Sequence, residues 1–166
     1  MNKKKRVRRR VGDVVSIDLG RGRHGFAVVL EDPLFGYFDY SADKPDPPLA
    51  EIVARPIAFK VWTMGHDVVR GLWPVIGKTD IPAVTAEHPW FFKEDPLTGK
   101  LSKTRDGAEE LPVTEEEASS MERAAVWEPI HIVERLRDHF AGVPNKWAES
   151  LKPRGRHKRV VSPARA

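Results

Sequence analysis

Short strand-like runs separated by glycine and proline turns dominate the first half of the chain. Apolar and polar residues alternate over 14–19, and further strand-like runs follow at 26–31, 34–40 and 57–64. Three glycines lie within 20–25, and glycine supplies the positive φ angles that a hairpin loop needs. The first three runs, joined by tight turns, predict an antiparallel meander.

The stretch 73–101 combines aromatic residues with a second hairpin signal. It holds two of the five tryptophans and two of the seven phenylalanines. The turn sequence Asp95-Pro96-Leu97-Thr98-Gly99 separates strand-like runs at 90–93 and 100–103. The stretch contains no nucleophile beside a base, no ligand cluster and no glycine-rich phosphate loop. It predicts a packing centre, and a protein that binds a partner rather than transforming a substrate.

Between these regions the pattern is weaker. We expect a helical turn over 49–54 and a short strand pair from 67–69 and 73–77, with the turn at Arg70-Gly71. Residues 78–89 are interrupted by two prolines and predict irregular structure.

Helix signals come late in the chain. Thr114 followed by Glu117 is a capping-box pattern that predicts a short helix to about residue 121. A second helix is predicted over 129–140, with proline in its first turn and Gly142 as its C-terminal cap. Its predicted buried stripe is made by Ile130, Val133, Leu136 and Phe140. The fold class is therefore α+β: a strongly bent antiparallel sheet or small β-barrel of short strands, with two C-terminal helices.

The charge is divided sharply along the chain. Seven of the 28 Lys and Arg residues lie in 1–10 and six in 152–166, while all 24 Asp and Glu residues lie in 11–151. The central 15 basic residues against 24 acids give that segment a net charge of −9. We expect one domain over 11–151 between a disordered basic arm, 1–10, and a disordered basic tail, 152–166. An acidic body favours a basic protein partner, and the tails could contact nucleic acid nonspecifically.

The composition also bears on compartment and cofactors. The chain contains no cysteine, which excludes disulfides and thiolate zinc sites and suits a reducing compartment. No apolar stretch follows the basic N-terminus, so we expect neither a signal peptide nor a membrane span. The predicted location is the cytoplasm, and no cofactor is expected.

The six histidines do not form a metal-binding pattern. No two are three or four residues apart, so the ligand spacing of a zinc site is missing. His24 stands beside Arg21 and Arg23, which suits an acid–base group with cationic helpers, but also an ordinary solvated loop. His66-Asp67 is interpreted as a turn, because neighbours on a strand would point to opposite faces.

Acids in the loops are the candidate partner contacts. Trp62 joins them because its strand face mixes a charge with large apolar groups, and exposed aromatics are enriched in binding hot spots. The remaining tryptophans are expected to be mainly buried. The predicted contact residues are Asp43, Asp46, Trp62, Glu94, Asp95, Asp106, Glu109 and Glu110.

Several short motifs together resemble the bacterial immunity protein 26 family. The resemblance covers roughly 6–151 and supplies no catalytic residue to carry over. Members are encoded beside polymorphic toxins and are inferred to neutralise them by binding. The resemblance implies a cognate toxin as partner; many such toxins are basic nuclease domains, which an acidic body could cover. The motifs are residues 11–17 (VGDVVSI), 25–31 (GFAVVLE), 38–40 (FDY), 59–62 (FKVW), 73–77 (WPVIG) and 90–93 (WFFK).

Two other functions stay open on the residues alone. A small barrel with two basic arms would suit a nucleic-acid-binding module. A hydrolytic enzyme would have to rely on His24 or His66. The first and second readings are separated by removing the tails, and the third by replacing each histidine.

Overall fold

The computed structural model describes residues 8–155. The chain divides into two compact units, and each is built from segments that are discontinuous in sequence. Their described parts are 8–88 with 125–149, and 89–124 with 150–155. We call them the large and the small unit. The predicted terminal segments lie mostly outside the described residues, at 1–7 and 156–166.

The large unit contains a six-stranded sheet in the order β10-β4-β3-β2-β1-β5. Its strands are β1 Asp13–Gly20, β2 Arg23–Val29, β3 Leu34–Ala42, β4 Ile57–Thr63, β5 Val75–Lys78 and β10 Val126–Trp127. The predicted meander is confirmed, because β1, β2, β3 and β4 are successive antiparallel neighbours. β10 adds in parallel to the outer edge of β4. This unit also holds the helices α1 Leu49–Val53, α2 His66–Val69, α3 Ala83–Ala86 and α5 Pro129–Ala141, and most of α6 Lys146–Ser150.

The core of the large unit is aromatic. The Tyr37 ring is fully buried, stacks on Phe59 at 4.8 Å between centroids and meets Trp73 edge-on at 6.3 Å. The Tyr37 hydroxyl and Thr63 Oγ1 are 2.8 Å apart and buried. Such a hydroxyl needs an internal partner, because burial removes its hydrogen bonds to water.

The small unit contains a four-stranded sheet in the order β8-β7-β6-β9. Its elements are β6 Phe91–Glu94, β7 Leu101–Thr104, β8 Leu111–Pro112, β9 Glu122–Arg123 and α4 Glu115–Ser119. The β6–β7 hairpin confirms the second predicted hairpin. Phe91 and Phe92 are fully buried, so both faces of β6 are covered. The fold is α+β as predicted, and of its two alternatives the bent sheet stands, since neither sheet closes into a barrel.

Three local predictions were wrong. Residues 66–69 form α2 rather than a strand, and β5 pairs with β1 rather than with a neighbour in sequence. The reason is a free edge on β1, which offers β5 a ladder that residues 67–69 do not. Residues 83–86 form one turn of helix within the segment expected to be irregular.

The third correction concerns the buried face of α5. Ile130 is 67% exposed, and the buried residues are Pro129, Ile132 and Leu136. The apolar face thus includes the proline that begins the helix, which rotates the buried stripe away from Ile130. The predicted caps are confirmed: Gly142 ends the helix with a φ of +68°, and α4 begins with the complete Thr114–Glu117 capping box.

The chain entering β1 is anchored by Arg9. Its guanidinium carbon lies 5.5 Å from the centroid of the Phe35 ring, and the side chain pairs with Asp32. Burial lowers the pKa of Arg9 below the usual arginine value. Trimming the basic arm therefore leaves the described structure intact only if it stops before this residue.

Candidate functional site

The hairpin turn of the small unit is built by one of the predicted contact residues. Asp95 Oδ1 accepts hydrogen bonds from the backbone N–H groups of Leu97 and Thr98, both at 2.8 Å. These bonds stabilise the charged carboxylate and lower the pKa of Asp95. Gly99 completes the turn with a φ of +70°. Asp95 is exposed, so it fixes the turn and presents charge at the surface.

Glu94, the adjacent predicted contact, is occupied by internal partners. Its side chain is 11% exposed, and its Oε2 accepts a hydrogen bond from Arg123 Nη2 at 3.0 Å. The backbone N–H of Arg154 donates to the same oxygen at 3.1 Å. Arg123 also donates to the carbonyl of Leu151 at 2.8 Å. The carboxylate therefore holds β9 and the chain after α6 against β6.

Glu110 lies beside Lys93 at an open cavity of about 510 Å³. The two side chains form an exposed ion pair, and the hydrogen bond and charge of Lys93 lower the pKa of Glu110. The structure brings Glu94, Asp95 and Glu110 together in this cavity wall. Lys93 and Lys100 also line it, so its charge is mixed rather than uniformly acidic.

Asp106 and Glu109 lie in the exposed loop between β7 and β8. Asp106 Oδ1 accepts from the backbone N–H of Ala108 at 2.9 Å, an Asx-type contact that orders the loop. Glu109 follows on the same loop. The structure thus places five of the eight predicted contact residues in the small unit.

The other three predicted contact residues lie in the large unit. Asp43 and Asp46 are exposed in the loop between β3 and α1. Trp62 is half-buried on β4, and its Nε1 donates a hydrogen bond to His88 Nε2 at 3.3 Å. The mixed face predicted for this strand is covered in part by the chain around α3, since Lys60 Nζ donates to the carbonyl of Glu87 at 2.9 Å. Of the other tryptophans, Trp73 and Trp127 are buried, while the remaining two are half-buried.

The histidines show one arrangement that differs from expectation. His66 and Asp67 lie in α2 rather than on an extended segment, and His66 Nε2 is 3.2 Å from Asp67 Oδ1. Neighbours in this turn can therefore meet, contrary to the strand-based interpretation. Within residues 8–155, no group of three or more His, Asp or Glu side chains is placed to hold a metal ion.

A cluster of arginines forms a second cavity, which sequence reasoning found only in part. Arg21 and Arg23 of the β1–β2 hairpin are joined there by Arg137 of α5. Arg137 Nε donates to the Leu19 carbonyl at 2.5 Å. No sequence spacing links residue 137 to the hairpin, because the contact depends on how α5 packs on β1. The cavity has a volume of about 450 Å³.

Comparison with known families gives one decisive match. The model of the family named Immunity protein 26 matches residues 10–103, which is more than half of the chain. The chain belongs to the immunity protein 26 family. This confirms the resemblance drawn from the sequence motifs. Searches of curated proteins and of solved structures give no match.

The matched segment of this immunity protein 26 member runs from the chain entering β1 to β7. It therefore includes Asp43, Asp46, Trp62, Glu94 and Asp95, and both hairpin arginines. The loop acids Asp106, Glu109 and Glu110 follow it, as does Arg137. None of the helices in the described part of the chain is long and apolar enough to cross a membrane.

Proposed function

We propose that this chain is an immunity protein that binds a cognate bacterial toxin and neutralises it by occlusion, with no catalysis of its own. The observation that carries the proposal is the family match over 10–103. The proposed site of action is the cytoplasm of the producing cell, before the toxin is exported.

Exposed acids support an electrostatic contact with the toxin. Asp106 and Glu109 share one loop, Asp95 projects from a turn of the same unit, and Asp43 and Asp46 occupy a loop of the large unit. Loops that carry charge on a rigid scaffold are common binding elements. The toxin class that this surface favours is a basic nuclease domain, because opposite charge accelerates encounter and orients the partners.

The occupied acids have a different weight in this proposal. Glu94 is bonded to Arg123 and Arg154, so recruiting it to a partner would break an internal ion pair. Glu110 shares its charge with Lys93. We therefore assign the main electrostatic contribution to Asp106 and Glu109, and treat Trp62 as a half-buried aromatic at the edge of its own surface.

The test is neutralisation of the toxin encoded beside the gene. The purified chain should form a complex with that toxin and abolish its activity at equimolar amounts. Co-expression should restore growth of cells that make the toxin. A stable complex in which the toxin keeps full activity would contradict occlusion, and failure to form any complex would contradict the proposed function itself.

Removing the terminal segments distinguishes this proposal from a nucleic-acid-binding module. A variant lacking 1–7 and 156–166 keeps Arg9 and Arg154, which contact the body of the protein. We expect that variant to neutralise the toxin as well as the full chain does. A module that depends on basic arms would instead lose its activity with them.

A further inference from the structure

Three guanidinium groups line one cavity at the end of the β1–β2 hairpin. Arg21 comes from the turn, Arg23 from the start of β2, and Arg137 from the last turns of α5. Ser41 adds a hydroxyl, while Leu19 and Phe140 supply apolar wall. No carboxylate is among the residues that line this cavity, although the protein body as a whole is acidic.

Two of the arginines are held in place by contacts that leave most of their donors unused. Arg137 Nε bonds the Leu19 carbonyl, and Arg23 Nη2 bonds the hydroxyl of Ser41. A guanidinium has five N–H donors, so each of these groups retains four. The nearby Asp18 carboxylate is engaged with the backbone N–H of Gly20 at 2.7 Å. Glu134 is the acid most exposed to the charge of Arg137, but its carboxylate bonds Trp147 Nε1.

The backbone at Arg21 gives a second, independent indication. Arg21 has a φ of +53° and stands between Gly20 at +80° and Gly22 at +72°. Only glycine adopts these angles without steric cost, so an arginine here is conformationally unfavourable. Strain of this kind collects at functional sites, where the side chain is needed more than the local geometry favours it.

The geometry points to a phosphate-binding site that accepts a nucleotide unit. A phosphate carries up to two negative charges and three terminal oxygens, which suits several guanidinium forks at once. A carboxylate has two oxygens and is satisfied by a single arginine, so three arginines exceed what an acidic peptide requires. The apolar wall formed by Leu19 and Phe140 gives the sugar or base a surface to pack against. This site goes beyond toxin neutralisation and does not depend on it.

Titration calorimetry on the full chain, without toxin, tests the site. The probes are inorganic phosphate, a nucleoside monophosphate and a short single-stranded oligonucleotide. Arg21→Gly and Arg23→Gln should each weaken phosphate and mononucleotide binding about tenfold or more, because each removes a charge-assisted contact. The matched control is Arg70→Gln, which removes an exposed arginine of the same unit and should leave affinity unchanged. Phe140→Ala should weaken the mononucleotide but not inorganic phosphate.

The two sources of a nucleotide unit are separated by the probes. Equal affinity for mononucleotide and oligonucleotide identifies a free nucleotide as the ligand, and much tighter oligonucleotide binding that still requires Arg21 identifies a strand. Because the basic termini bind any strand nonspecifically, the small probes decide whether the site exists. The inference is overturned if neither small probe binds at millimolar concentration. It is equally overturned if Arg70→Gln loses as much affinity as the cavity variants. Weaker toxin binding by the cavity variants, with no phosphate binding, would identify an acidic toxin segment instead.

Discussion

Arg123 Nη2 donates to Glu94 Oε2 at 3.0 Å, and this bond joins two parallel neighbours, β9 and β6, through their side chains. The arginine also lies over the Phe92 ring, 4.7 Å from its centroid. Both side chains are mostly shielded from water. Glu94 therefore has a structural role in the small unit that its position beside a turn does not reveal.

Replacing Glu94 with alanine should destabilise the protein. Loss of the carboxylate leaves the shielded Arg123 without its anionic partner, at a cost of about 1–3 kcal/mol in the free energy of unfolding. Chemical denaturation of Glu94→Ala, Arg123→Ala and the double variant would give the coupling energy. The matched control is Glu109→Ala, an exposed acid of the same unit, for which we expect a change within about 0.5 kcal/mol. Equal effects at the two positions would contradict the structural role.

Reversing the loop charges should slow toxin association. Asp106→Lys with Glu109→Lys removes attraction to a basic partner, so the association rate constant should fall about tenfold at low salt and much less at high salt. Stopped-flow or surface-plasmon measurements at two ionic strengths check this. Glu31→Lys with Asp46→Asn is unsuitable as a control, since Asp46 is itself a candidate; Glu31→Lys with Asp80→Lys makes the same net change at exposed positions of the large unit. An equal slowing by that pair would assign the effect to net charge rather than to the loop.

The buried pair Tyr37 and Thr63 should show an asymmetric response to mutation. Tyr37→Phe alone leaves the Thr63 hydroxyl buried without its partner, and Thr63→Val alone strands the Tyr37 hydroxyl. Each should cost about 1–3 kcal/mol of stability, whereas the double variant should cost clearly less than the sum. Thermal or urea unfolding of the four proteins measures the difference. Strict additivity would show that the hydroxyls do not depend on each other.

Tyr37 should also make the protein sensitive to alkali. Burial raises the pKa of Tyr37 far above the ordinary tyrosine value, so its phenol stays protonated in the folded state. Unfolded tyrosine ionises near pH 10, so above that pH the unfolded state binds fewer protons. The Tyr37 contribution to stability is complete below pH 10 and declines above it by about 1.4 kcal/mol per pH unit. Urea unfolding at several alkaline pH values should show a shallower decline in Tyr37→Phe than in the parent.

Arg21→Gly should make the folded protein more stable while it weakens phosphate binding. Glycine relieves the left-handed backbone, and the net gain is up to about 1 kcal/mol once the greater freedom of glycine in the unfolded chain is subtracted. The control is Arg23→Gly on β2, where the backbone is extended and glycine should destabilise. Differential scanning calorimetry compares the midpoints. A lower midpoint for Arg21→Gly would mean that the side chain contributes more to folding than its backbone costs.

Local signals in the sequence predicted much of the fold. Glycine turns and alternation identified the meander, Asp95 to Gly99 identified the second hairpin, and the Thr114 box and Gly142 identified the helix ends. Pairings between distant segments were missed, among them β5 on β1 and β10 on β4. A two-residue strand such as β10 has no periodicity to detect, and only the partner edge makes it a strand.

The candidate contacts divide along the same line. Exposure of Asp43, Asp46, Asp106 and Glu109 follows from their polar loops. The internal bonds of Glu94, and the arrival of Arg137 beside the hairpin arginines, depend on tertiary packing. Neither relationship has a spacing in the sequence that could announce it.

The placement of β10 also sets a schedule for the newly made chain. The outer edge of β4 waits for residues 126–127, and the edge of β6 waits for residues 122–123. A ribosome that has translated only the first hundred residues therefore holds two incomplete sheets, each with an open strand edge. Protection from premature association has to last until almost the whole protein has been synthesised.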